Sequence, residues 1–121
     1  MTLTEENRKY ILNEFLEDIW GISDLEYQKR VWLRGEGPEC DSIGETINRF
    51  FDTAEFLLPK YKEFHISKNQ YQILKKFYKE FEAFSQHCYQ NPLEFIDSQE
   101  WARVMDRAKE VLQAFDYKSE N

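Results

Sequence analysis

The chain has 121 residues and a net charge of −7, and 17% of its residues are aromatic. This length is typical of one domain, so we expect residues 1–121 to form a single domain around a core rich in aromatic rings. No stretch approaches the roughly 18 consecutive apolar residues of a membrane span, and we expect no leader sequence. We therefore expect a cytoplasmic protein without a membrane partner.

Apolar residues recur at helical spacing in five successive segments of the chain. The predicted helices cover residues 4–20, 24–34, 42–58, 68–89 and 97–115. Each is preceded by a side-chain oxygen three positions before a Glu or Gln, which is typical of a capping box. The predicted capping boxes start at Thr2, Ser23, Ser42, Ser67 and Asp97. Gly21, Gly35 and Pro59 are predicted to end the first three helices. The pattern predicts an all-α bundle of about five helices.

The segment that joins the second and third predicted helices departs from this pattern. It is stiffened by Gly35, Gly37 and Pro38, and it carries the three carboxylates of Glu36, Glu39 and Asp41. Loops that are held by a rigid scaffold often carry function. We therefore expect this acidic loop to take part in binding.

The negative charge is concentrated in the first half of the chain. Residues 1–58 contain 13 acidic and 6 basic residues, whereas residues 59–121 contain 10 of each. Nucleic acid would be repelled by the first half, because binding to phosphates requires clustered Lys and Arg. A basic protein would be attracted, although a net negative charge also simply keeps a small protein soluble.

The sequence lacks the usual signatures of catalysis and of metal binding. Neither His65 nor His87 follows a Glu by three positions, as a di-iron helical bundle requires. Cys40 lies between two acidic residues, which oppose thiolate formation, and Cys88 fits the apolar stripe of the fourth helix. We expect a protein that is not an enzyme and that has no cofactor and no metal, with a weak divalent-cation site in the acidic loop as the alternative.

Five other side chains are assigned a position or a partner from the sequence. Trp32 is expected in the core, and its alternative role is that of an exposed interface anchor. Arg34 is expected to pair with Glu36 or Glu39. The basic residues of the fourth helix are expected to pair with Glu80 and Glu82 on a solvated stripe, and their alternative role is that of a nucleic-acid site. These basic residues are Lys75, Lys76 and Lys79.

Residues 15–51 resemble small bacterial immunity proteins, which accompany the toxins of contact-dependent growth inhibition and related polymorphic toxin systems. The segment from Tyr27 through Trp32-Leu33-Arg34-Gly35-Glu36-Gly37-Pro38-Glu39, followed by Phe50-Phe51, carries the resemblance. It implies a stoichiometric inhibitor that covers a cognate toxin, often a basic nuclease. This implication agrees with the charge distribution.

The predicted function is therefore neutralisation of a basic toxin, with a nuclease domain as the partner. The predicted partner-binding residues are Glu36, Glu39, Asp41, Glu45, Asp52 and Glu55. The alternative is a non-catalytic scaffold or regulatory homodimer, and an enzyme is the third class. The sequence leaves the oligomeric state open.

Overall fold

The computed structural model describes residues 3–36, 42–87 and 91–118, and its regular structure within these ranges is entirely helical. The α-helices are α1 (Glu5–Ser23), α2 (Leu25–Tyr27), α3 (Ile43–Leu57), α4 (Lys68–Ser85) and α5 (Gln99–Ala114). A π-helix (Gln28–Leu33) continues α2, and 3₁₀ turns cover Leu58–Lys60 and Pro92–Glu94. The predicted all-α bundle is confirmed. Within the described ranges, no helix combines the length and the apolar character needed to cross a bilayer.

The helices pack around a core of aromatic rings. Helix α5 packs against both α4 and α1, and α1 also packs against α3. At the centre, the ring centroid of Phe50 on α3 lies 5.1 Å from that of Phe15 on α1 and 5.2 Å from that of Phe77 on α4. Trp101 on α5 is fully buried against Phe81 and Phe84. The rings thus connect all four long helices.

Two of the five predicted capping residues are confirmed. Ser42 and Ser67 cap α3 and α4, and Ser67 forms the reciprocal capping box with Gln70. The other three predictions were wrong by one or two positions. The observed N-caps there are Thr4, Asp24 and Ser98, in place of Thr2, Ser23 and Asp97. In each observed cap, extended backbone directs the side-chain oxygen at an unpaired N–H of the first turn.

The prediction that Gly21 ends the first helix was wrong, because α1 continues to Ser23. Gly21 is buried, and a Cβ atom at this position would lie 3.2 Å from the Tyr27 ring. The glycine is therefore required for close packing of a ring from the following turn. The fourth helix ends at Ser85, earlier than the predicted residue 89, and Cys88 lies outside the described residues.

Gln28 joins α1, the π-helix and α5 through a buried amide. Its Nε2 donates to the carbonyl oxygens of Gly21 (3.1 Å) and Ile22 (2.8 Å). Its Oε1 accepts a hydrogen bond from Trp101 Nε1 at 2.9 Å. The last carbonyls of a helix have no partner within the helix. The Gln28 amide supplies a donor to two of these carbonyls.

The first turn of α1 is held by an ion-pair cluster that should make stability depend on pH. A hydrogen bond from Arg8 to Glu5, 3.0 Å long, and a second contact with His65 hold the pKa of Glu5 below its ordinary value of 4.5. A lowered pKa stabilises the fold above the unfolded-state pKa, and this contribution is lost as the pH falls through the folded-state pKa.

Glu5→Gln is therefore expected to be less stable than the wild type at neutral pH, with a difference that vanishes in acid. Urea unfolding across a pH series measures this difference. Glu6→Gln is the matched control, since within the described ranges the carboxylate of exposed Glu6 forms no ion pair. A difference for Glu5→Gln that stays constant down to pH values below 4.5 would contradict the assignment.

Candidate functional site

Three of the six predicted binding residues lie on the exposed side of α3. The core side of this helix is formed by buried residues, namely Ile43, Thr46, Phe50, Ala54 and Leu57. Glu45, Asp52 and Glu55 are exposed, and their carboxylates form no ion pair with any residue that the structure describes. We call these three residues the acidic face of α3.

Arg49 lies between Glu45 and Asp52 on the same helix and connects it to α1. Its Nε and Nη2 donate to Asp18 Oδ1 at 3.2 and 3.1 Å. The guanidinium is thus engaged with α1, which fixes the orientation of the acidic face relative to the bundle. The side chains of this face project from a rigid, packed helix, so little order has to be gained on binding.

Glu36 is separated in sequence from this face and is already paired. It follows Gly35, whose φ of +63° is the left-handed conformation that often ends a helix. Its Oε1 lies 3.1 Å from Arg34 Nε, which confirms the predicted pairing. Glu39 and Asp41, together with the rest of residues 37–41, lie outside the described residues. The role of the acidic loop therefore stays a prediction.

A groove of about 400 Å³ runs beside the acidic face, between the end of α3 and the middle of α4. Apolar atoms of Leu58, Pro59 and Tyr78 line it, and carboxylates of Glu55 and Glu82 lie along it. Burial raises the pKa of Tyr78 above its ordinary value of 10.0, and the nearby charges of Glu82 and Glu55 raise it further. The phenol is therefore neutral beside two negative groups.

The predicted pairing of the basic α4 residues with Glu80 and Glu82 was wrong. No ion pair joins them in the described part of the chain, and the ammonium of Lys75 lies 5.6 Å from the ring centroid of Tyr71 instead. Exposed ion pairs contribute little because they restrict two long side chains. Sequence reasoning also missed Tyr78 and Glu82 as site residues, since their proximity to Glu55 depends on how two helices pack.

A second groove, of about 240 Å³, lies between α4 and α5 and contains a histidine–carboxylate pair. His87 Nε2 lies 3.1 Å from Glu100 Oε2, and both side chains are about half exposed. Among the described residues, no hydroxyl or thiol lines this groove, and no cluster of three potential metal ligands occurs. The pair links α4 to α5.

Trp32 is half-buried and packs on the core. Its ring centroid lies 6.1 Å from that of Trp101 and 6.3 Å from that of Tyr27. The ring therefore covers the end of the core next to the segment that leads into the acidic loop.

The fold and the face together define a small all-α protein with an acidic surface on one rigid helix. Comparisons with protein-family models, with curated proteins and with solved structures found no match to this chain.

Proposed function

We propose that this protein is an immunity-type inhibitor that binds and neutralises a basic bacterial toxin, with a nuclease domain as the expected target. The observation that carries the proposal is the acidic face of α3, where Glu45, Asp52 and Glu55 are exposed without an ion-pair partner in the described residues. A surface of this kind is complementary to the basic cleft with which a nuclease holds phosphates.

The charge distribution supports rapid association with such a target. The net charge of −7 arises entirely within residues 1–58, which include all of α1 and α3. A field of one sign on one part of the surface steers an oppositely charged partner and raises the association rate. Salt should slow this association, because the Debye length falls to about 8 Å at physiological ionic strength.

Inhibition would follow from occlusion and would require no chemistry in the inhibitor. Carboxylates that project from a packed helix can occupy the positions at which a nuclease binds substrate phosphates. The Lys and Arg side chains of the toxin would then pair with Glu45, Asp52 and Glu55 instead of with nucleic acid. Because each toxin molecule needs one inhibitor molecule, the expected stoichiometry is one to one.

Reversing the three charges of the acidic face should weaken capture of the basic partner without unfolding the protein. We expect Glu45→Lys/Asp52→Lys/Glu55→Lys to lose at least about 2 kcal/mol of binding free energy, or roughly 30-fold in affinity. The circular dichroism of the helices should be unchanged because all three positions are exposed. Calorimetric titration against the partner that the wild type retains on an affinity column measures this loss.

The matched control is a triple reversal on exposed acids outside this face, Glu63→Lys/Glu94→Lys/Asp106→Lys. Both triple variants change the net charge from −7 to −1, so a difference between them reports position and not total charge. The retained partner must also lose its nuclease activity at one equivalent of inhibitor. Equal weakening by both variants, or a partner that stays active, would overturn the proposal.

The scaffold or homodimer interpretation makes a different prediction. For a homodimer, light scattering should give twice the chain mass of 14.7 kDa in the absence of any partner. A monomer that retains a basic partner on the column would exclude the homodimer.

A further inference from the structure

The groove between α3 and α4 has a fixed aromatic floor. The ring centroid of Tyr78 lies 5.2 Å from that of Phe51 and 6.2 Å from that of Phe50. Phe50 is fully buried, and Phe51 packs against the core. Leu58 and Pro59 complete the apolar lining from the α3 side. The floor is therefore held in place before any ligand arrives.

The carboxylates of the groove come from both of its walls. Glu55 is supplied by α3, and Glu82 is supplied by α4 one turn beyond Tyr78. Neither forms an ion pair within the described ranges, although Lys75 and Lys79 line the same groove. Both carboxylates lie close enough to the phenol to raise its pKa. Two negative groups are thus available at the Tyr78 end.

Two basic residues, Lys75 and Lys79, also line the groove. Lys75 extends towards Tyr71, one turn before it on α4 and away from Tyr78. Lys79 also lines a neighbouring groove, where it lies with Lys76 and Arg107. The lining thus holds two lysines as well as two carboxylates, and none of these four side chains forms an ion pair with another described residue.

We propose that this groove binds an arginine side chain of the basic partner, with the aliphatic stem on Leu58 and Pro59 and the guanidinium between Glu55 and Glu82, beside the Tyr78 ring. This inference rests on the proposed function and adds an anchor to the acidic face, because Glu55 belongs to both. The occupant needs an apolar stem and a cationic head, and an arginine has both.

Arginine fits this groove better than lysine for three physical reasons. Its planar guanidinium is weakly hydrated, so it loses less on leaving water. It can donate to two carboxylates at once in a fixed fork and can stack on an aromatic ring. Tyr and Arg are also enriched among the few residues that carry most of the energy of an interface.

The inference is tested directly with a small probe and the full chain. Acetyl-Gly-Arg-Gly-amide is titrated into the labelled protein while its amide resonances are followed by nuclear magnetic resonance. We expect saturable shifts at Leu58, Tyr78 and Lys79. The matching citrulline peptide has the same shape without the charge. Its affinity should be lower by a factor of at least about ten.

Substitutions locate the site. Glu55→Gln/Glu82→Gln should weaken the arginine peptide by about tenfold, whereas the control Glu63→Gln/Asp106→Asn should leave its affinity unchanged. Shifts spread over other surfaces would overturn the proposal, as would equal binding of the citrulline peptide. Equal binding of the corresponding lysine peptide, acetyl-Gly-Lys-Gly-amide, would overturn the choice of arginine.

Failure of this inference is distinguishable from failure of the proposed function. Glu82 lies outside the acidic face, so Glu82→Gln tests the groove separately in the capture experiment. If Glu82→Gln captures and inhibits the partner as well as the wild type does, the proposed role of the groove is contradicted. The proposed role of the acidic face is then unaffected. If the arginine peptide binds specifically but no toxin is captured, the groove is supported as an arginine site. The proposed function as a toxin inhibitor is then contradicted.

Discussion

Gln28→Ala is expected to lower the free energy of unfolding by about 4 kcal/mol. The substitution leaves the carbonyls of Gly21 and Ile22 and the indole N–H of Trp101 without their amide partner. Gln28 and Trp101 are both fully buried, and a buried polar group without a partner costs about 1–3 kcal/mol. Urea unfolding followed by circular dichroism measures the loss.

Gln72→Ala is the matched control for Gln28→Ala, because Gln72 is exposed on α4. Its effect should stay within about 0.5 kcal/mol. A double-mutant cycle with Trp101→Phe should show coupling, since the indole N–H and the amide oxygen are partners. A loss below about 1 kcal/mol for Gln28→Ala would show that the buried amide contributes little to stability.

Phe50→Ala is expected to destabilise the fold by about 3–5 kcal/mol and to loosen the floor of the groove. Phe50 is fully buried, and its ring contacts Phe15 on α1, Phe77 on α4 and the groove residue Tyr78. Removal of the ring leaves a cavity where three helices meet, and close-packed interiors relax only partly around such a cavity. Chemical unfolding gives the stability loss, and affinity for the arginine peptide gives the effect on the groove.

Phe56→Ala provides the comparison for Phe50→Ala. Phe56 lies on the same helix but is 39% exposed, and its ring contacts are with Phe64 and the ammonium of Lys60. We expect it to lose less than about 1.5 kcal/mol, because much of its surface already faces water. Equal losses for the two variants would contradict the central position assigned to Phe50.

The existence of the helices could be predicted from the sequence, whereas several of their ends were predicted at the wrong residue. Periodic apolar residues identify α3, α4 and α5, because a helix buries one stripe of its surface. The π-helix at Gln28–Leu33 was not predicted. Nothing in the local pattern distinguishes it from an α-helix. Its wider turn accompanies the contact of Gln28 with Trp101, which is 73 residues away in the sequence.

The candidate site was only partly predictable for the same reason. Exposed carboxylates on α3 follow from helical spacing, so Glu45, Asp52 and Glu55 could be placed on one side of the helix in advance. The groove could not be predicted, because it exists only where α3 and α4 bring Glu55 towards Tyr78 and Glu82. A pattern within one helix carries no information on which residues of another helix it meets.

The three tryptophans of the chain form one continuous ring cluster with a tyrosine. Centroids are 5.2 Å apart for Trp20 and Tyr27, 6.3 Å for Tyr27 and Trp32, and 6.1 Å for Trp32 and Trp101. Intrinsic fluorescence therefore originates beside the segment that leads into the acidic loop. Emission should change when a partner engages Glu36 nearby, and it should stay constant when a small ligand fills the groove. The protein thus carries an optical reporter for contacts at the predicted acidic loop, and no added label is needed to distinguish them from binding in the groove.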